Sequence, residues 1–383
     1  FTEPYVFDKN IALGVDVFRR DFNSFNYLGT TRQTTYSQVS TGFQVRAGVP
    51  LTEYWSLSGR YGLTYDEVGL ASSFFNSDGT CNFQQAGRYL CDSIGNRWTS
   101  SVGYSLIYDS LNSRLRPTAG HRFSFSQDFA GLGGDVKYIR TRAEGAKFKG
   151  LGKGFVFSIL GEGGYIHSLE GSRGPGIDPV RIVDRFYLGE PQFRGFDIRG
   201  VGPRVTRTYY DTSTVPATLS STNSSNTQTA LGGTTYYQAR LELELPLGAG
   251  ARELGLRPSI YMDVGAVFGG KKPALTDTCA AANIASIACV AGTRQYTNSS
   301  GDLLYLDSAG SSTTTNTGTP YTYSLGTYKE TYSGNTASPR LSVGVGVNWT
   351  SPFGPLRIDL AKALLKAPGD DSKLITFNIG GQF

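Results

Sequence analysis

The sequence predicts an all-β transmembrane protein: an antiparallel β-barrel of the outer-membrane type, with about twelve strands present and long extracellular loops. Three observations carry this. Apolar and polar residues alternate with period two over stretches of ten residues or more, which places one set of side chains on each face of a strand. The composition suits strands and turns rather than helices, with 49 Gly, 23 Tyr, 22 Phe and a single Met among 383 residues. No stretch approaches 18 uninterrupted apolar residues, so a membrane passage would have to be made by strands closed into a barrel.

Taken in order, strands are expected near 10–22, 36–49, 54–68 and 96–109, where the alternation is continuous over 10–18, 39–49, 55–65 and 98–109. Strands near 121–130, 135–148 and 154–167 follow, and an eighth near 234–247 alternates over 236–245. The ninth, near 256–268, sets Ile260, Met262, Val264, Ala266 and Phe268 on one face. In the tenth, near 340–351, Leu341, Val343, Val345, Val347 and Trp349 oppose Ser342, Gly344, Gly346 and Asn348. An eleventh lies near 354–364, and in the last, near 373–383, Ile375, Phe377, Ile379 and Phe383 share one face.

A soluble sandwich also alternates, but these strands exceed the usual five or six residues and match a tilted membrane strand of roughly nine to eleven. Their polar faces carry Asp16, Arg46, Arg60, Asp109, Arg240, Glu242, Glu244 and Asp263, which describes a watery lumen. Trp55, Tyr65, Trp98, Tyr108, Trp349 and Phe383 fall toward strand ends, as interfacial girdles do.

Connections alternate between short turns, such as 50–54 and 351–355, and long loops, which are expected to face outside. The loops 69–95 and 269–339 both fall on the long side. The second of these, and the tract 212–232, are rich in Ser, Thr, Asn and Gly and are expected to be mobile surface decoration. Each of the two cysteine-bearing loops holds a pair ten residues apart, Cys81 with Cys91 and Cys279 with Cys289, favouring two local disulfides made in an oxidising compartment. Zinc is the alternative reading, but CxxC spacing is missing and the chain has only His121 and His167. The formal net charge of +5 is spread without basic runs, so nucleic acid is a poor partner. No signal peptide stands at Phe1, and the chain reads as a piece of something longer.

One loop stands apart. After the seventh strand come Phe186-Tyr187-Leu188-Gly189, then Phe193-Arg194-Gly195-Phe196, then Gly200-Val201-Gly202-Pro203-Arg204. An arginine between aromatics and glycines either ends a solvated hairpin tip or is held in one shape for a purpose. With this loop, Glu3-Pro4-Tyr5, Met262-Asp263-Val264-Gly265, Ser351-Pro352-Phe353-Gly354-Pro355-Leu356 and Phe377-Asn378-Ile379-Gly380 before a terminal aromatic, the chain resembles the BamA family of outer-membrane protein assembly factors over nearly its whole length. Phe193 departs from the valine usual in that family.

The resemblance implies a single barrel domain over 1–383, with the arginine-motif loop at 168–233 and the long Ser/Thr-rich loop at 269–339. Aligned on these motifs, the first strand here corresponds to the fifth of sixteen, so four strands and the periplasmic POTRA repeats would precede Phe1. It implies that the loop folds into the barrel and that its arginine meets carboxylates on the inner wall. Strand parity then nominates Glu242 and Asp263, with Glu244 and Asp197 as competitors and a hydrated charge in a wide lumen as the bland alternative. The last strand, with Phe377, Ile379 and Phe383, looks like the β-signal by which outer-membrane proteins are recognised, or is simply a last strand with an interfacial Phe. The pair Gly380-Gly381 weakens pairing there and, by resemblance, marks a lateral gate.

The function implied is that of the central insertase of outer-membrane assembly. It would take unfolded outer-membrane proteins as clients, lie in outer-membrane lipid with loops outside, and bind assembly-complex lipoproteins, with no cofactor, metal or catalytic residue. Related transporters (the autotransporter assembly factor TamA or a two-partner secretion pore) and a passive porin or receptor are the rival readings. An outer-membrane hydrolase is disfavoured because no serine near His121 or His167 stands in a nucleophile motif.

Overall fold

The structure, a computed structural model, describes the 383-residue chain apart from residues 29–30, 77, 115, 212–217, 223–225, 249–254, 279–291, 296–301, 309, 326, 352–353 and 380–383. Cys279, Cys289, Gly380, Gly381 and Phe383 therefore lie outside the described residues.

Twelve strands build one antiparallel wall in chain order: β1 (Ala12–Leu28), β2 (Thr31–Pro50), β3 (Trp55–Leu70), β4 (Gly95–Asp109), β5 (Ala119–Gly134), β6 (Tyr138–Gly152), β7 (Phe155–Ser168), β8 (Thr235–Glu244), β9 (Leu256–Phe268), β10 (Arg340–Ser351), β11 (Gly354–Leu365) and β12 (Ile375–Ile379). Each expected strand is present. β1 and β2 run farther outward than the alternation suggests, pairing from Ala12↔Gly48 to Leu28↔Thr31. Polar residues such as Asp21 and Asn23 break the apolar pattern there, but ladder hydrogen bonds need only a partner backbone. The segment before β1 folds back so that Thr2 and Glu3 pair with Gly14 and Leu13. At the other end, the described residues of β12 pair with β11, from Leu356↔Ile379 to Leu360↔Ile375.

The wall is inverted relative to a soluble sheet. Ile260, Val345 and Ile358 are 44%, 50% and 52% exposed on the outer face, while Asp263, Ser342 and Asp359 are fully buried on the inner one. Such an arrangement is stable only where lipid meets the outer face and polar partners fill the inner one.

Above the wall the described parts of the long loops form a packed cap, so 227–230 and 328–333 are paired strands where mobile decoration was expected. Much of both tracts, including 212–217, 223–225, 279–291 and 296–301, lies outside the described residues. A strand at Arg204–Asp211 pairs with Thr227–Ala230 on one side and Tyr328–Ser333 on the other. Leu231, Val205 and Ile182 are buried in one cluster with Tyr36, Val68, Ala86 and Leu90. The Cys81–Cys91 disulfide packs against that cluster. Between its cysteines run two single-turn helices, Phe83–Ala86 and Arg88–Cys91, the first capped by the Asn82 side chain accepting from the Gln84 and Gln85 N–H groups. Arg207 ties these loops together: it donates to the Glu330 carboxylate at 2.8 Å and to the Gln85 carbonyl at 2.7 Å. Composition misled here because the cap strands are short and mostly polar, and their burial depends on pairing across more than a hundred residues of sequence.

Candidate functional site

The loop between β7 and β8 descends into the wall instead of standing off it. Its descent is shaped locally: the Phe193 N–H donates to the Gly189 carbonyl at 2.8 Å, and the Phe193 and Phe196 rings lie 4.9 Å apart, both fully buried. These rings pack with Leu188, Val201 and Val267, so apolar burial sets the depth of the tip. Gly195 between them has φ +85°, a left-handed conformation, and a Cβ there would lie 2.9 Å from the Ser342 Cβ. Only glycine lets the backbone reach the inner wall at this point.

Arg194 is thereby delivered to β8 and β9. Its Nε and Nη2 donate to the two oxygens of Asp263 at 2.8 and 2.7 Å, and its Nη1 donates to Glu242 at 2.8 Å. The Arg194 backbone N–H also donates to Asp263, at 3.1 Å, and its carbonyl accepts from the Ser342 hydroxyl at 2.5 Å. The guanidinium carbon sits 3.3 Å from the centre of the Tyr261 ring. The competing acids are elsewhere: Glu244 faces Arg257 at 3.6 Å and Asp197 faces Lys373 at 3.7 Å.

Several partners escaped the sequence reading. Arg357 of β11 donates to Glu242 at 3.1 Å and to Asp359 at 2.8 Å, while Asp359 lies 3.9 Å from Arg194. Arg240 approaches Asp263 at 3.4 Å and donates to the Gln192 carbonyl of the loop at 2.5 Å. Three guanidiniums thus share three carboxylates. Each buried ion costs several kcal/mol of desolvation, so the network fixes one position of the loop more than it adds net stability. Arg357 and Asp359 alternate with Leu356, Ile358 and Leu360, and that parity was the available signal.

A second set of contacts joins the loop to the connection between β11 and β12. Lys373 N–H donates to the Gly195 carbonyl at 3.1 Å, Asp197 N–H to the Asp371 carbonyl at 3.1 Å, and Asp371 N–H to the Gly200 carbonyl at 2.8 Å. The Lys373 ammonium meets Glu190 at 2.8 Å. Nearby, the fully buried Arg340 pairs with Asp370 at 2.9 Å, and Asp370 accepts from the Gly202 N–H at 3.3 Å. The loop therefore touches the chain immediately before β12. In β12 itself Phe377 is 54% exposed on the lipid face and Ile379 pairs with Leu356. Below the tip, a cavity of about 520 Å³ is bounded by Pro191 and Gln192 of the loop and by Arg240, Glu242, Arg257 and Arg357 of the wall.

An antiparallel wall with apolar residues outward, charges inward and a loop sealed inside by those charges defines an integral β-barrel of the bacterial outer membrane. The whole chain, residues 1–383, matches the Omp85 superfamily domain. It belongs to the Omp85 superfamily. Over 384 residues it is 26% identical to the outer membrane protein assembly factor BamA of Neorickettsia risticii, covering 100% of this chain and 38% of that protein. It is 23% identical over 403 residues to the BamA of Neisseria meningitidis, of which it covers 41%. The chain thus spans about two fifths of the length of these relatives. The sorting and assembly machinery component 50 homolog of Bos taurus is 32% identical over 155 residues, 40% of this chain and 27% of that protein. Among solved structures, BamA from Haemophilus ducreyi lacking POTRA domains 1–3 superposes with a TM-score of 0.63 at 19% identity, covering 98% of this chain and 60% of the other, which supports the fold.

Proposed function

We propose that this chain is the barrel portion of an outer-membrane protein assembly factor, which folds and inserts other β-barrels through a lateral gate without nucleotide hydrolysis or any covalent chemistry. The observation that carries the reading is the placement of Arg194: one buried charge network holds the loop against β8, β9 and β11, and the same loop is hydrogen-bonded to the turn that leads into β12. Loop position and last-strand position are thus linked by contact.

An incoming strand carries unpaired backbone groups that are intolerable in lipid, on the order of several kcal/mol each. A wall that ends in a weakly held strand can satisfy them by strand addition, and the client's own folding supplies the free energy. β12 fits that role as the strand that follows the loop's contacts, its described residues Ile375–Ile379 pairing with β11. On this reading Phe193, Arg194, Gly195 and Phe196 form the loop lock, Glu242 and Asp263 its wall partners, and β12 the gate strand. Unfolded outer-membrane proteins are the clients, and assembly-complex lipoproteins are partners of the complete protein.

The test is reconstitution of the full-length protein in proteoliposomes with an unfolded outer-membrane barrel as client. Client insertion well above that of empty liposomes is expected, falling sharply for Arg194→Ala. No insertion, together with a large steady conductance at rest, would assign the chain to passive pores instead.

A further inference from the structure

The same loop carries another arginine, Arg199, which the lock does not use. Its backbone has φ +55°, a left-handed conformation that side chains disfavour and that the adjacent Gly200 could supply without strain. What holds an arginine there is what surrounds its guanidinium. Its carbon lies 4.0 Å from the centre of the Tyr187 ring, 4.8 Å from that of Phe22 and 5.7 Å from that of Tyr36, and Nη1 donates to the Tyr36 hydroxyl at 2.7 Å. Tyr36 is buried, and its ring touches Phe22 at 6.4 Å. The Arg199 carbonyl accepts from Arg204 at 2.9 Å, which braces the unusual backbone.

Phe22 belongs to β1 and Tyr36 to β2, whereas the partners of Arg194 belong to β8, β9 and β11. We propose that Arg199 is a positioning residue that seats the loop on β1 and β2, making residues 194–199 a strut between β1 and β2 on one side and β8, β9 and β11 on the other. The two ends differ in chemistry. Arg194 is held by carboxylates deep in the wall; Arg199 is held by aromatic faces and one phenol near the outer ends of β1 and β2. Any parting of β1 and β2 from β8, β9 and β11 would have to release one of these two anchors. This deepens the proposed function and rests on it for its consequence in gating, but the strut itself is a statement about contacts.

The test uses the full-length protein in proteoliposomes and hydrogen exchange resolved by peptide. Arg199→Met, which keeps much of the apolar stem without the charge, is expected to raise exchange about tenfold at 196–204 and at the outer ends of β1 and β2. Residues 189–195 should keep wild-type protection. Arg199→Lys should restore most of the loss, and Tyr36→Phe should produce part of it. Wild-type exchange in Arg199→Met would overturn the strut. So would loss of protection at 189–195 equal to that of Arg194→Ala, because the anchors would then not be separable. Wild-type protein that inserts no client would sink the proposed function while leaving the exchange result to decide the strut.

Discussion

Arg194 and Asp263 meet through three donors: the guanidinium Nε and Nη2 at 2.8 and 2.7 Å and the Arg194 backbone N–H at 3.1 Å, all to one carboxylate. One side chain of β9 thus fixes both the backbone and the side chain of the loop tip. Glu242 receives only one of the Arg194 hydrogen bonds and keeps Arg357 as a further partner.

That asymmetry predicts unequal variants. Asp263→Asn leaves a buried guanidinium without its paired oxygens and should weaken loop docking by about 3–5 kcal/mol. Glu242→Gln should cost less, about 1.5–3 kcal/mol, the worth of one hydrogen bond to a charged group. Protease protection across 185–205 as a function of urea measures both, and equal losses would contradict the asymmetry.

Gly195→Ala is expected to dislodge the loop although it alters no charge. The left-handed backbone would cost about 1–2 kcal/mol, and the new Cβ would lie 2.9 Å from the Ser342 Cβ, closer than two carbons tolerate. The barrel itself should remain folded, seen as retained heat-modifiable mobility on a gel, with protection lost in the loop alone.

The cap should open separately from the wall. Closing a ten-residue loop, the Cys81–Cys91 disulfide contributes about 3 kcal/mol on the chain-entropy account. Reduction, or a Cys81→Ser/Cys91→Ser double variant, should expose 71–94 to protease while β3 and β4 stay protected. Glu330→Gln should add to the effect by weakening the Arg207 contact.

Alkali should loosen the cap as well. Burial pushes the phenols of Tyr89, Tyr328 and Tyr332 up to about 12 from an ordinary value of 10. These groups are raised in the folded cap, so their stabilisation is complete below pH 10 and lost as pH rises toward 12. Tyrosinate absorbance should show late ionisation that disappears in the corresponding Phe variants, and protease sensitivity of 71–94 should rise over the same interval. Ionisation of these phenols at the ordinary value would refute it.

Period-two alternation was enough to locate eight of the twelve wall strands and to place Glu242 and Asp263 on the inner face, because strand geometry forces side chains to alternate whatever they later touch. The motif Phe193-Arg194-Gly195-Phe196 likewise announced a constrained loop, since aromatics and glycine at those positions restrict the backbone locally. Only the tertiary structure decided who meets whom. Arg357, Asp359 and Ser342 join the lock from strands more than a hundred residues away, and Arg199 reaches Phe22 and Tyr36 from the other end of the wall. The cap strands were hidden for the same reason: the pairing of Tyr328–Ser333 with Arg204–Asp211 is set by how distant loops converge above the wall, which no local pattern encodes.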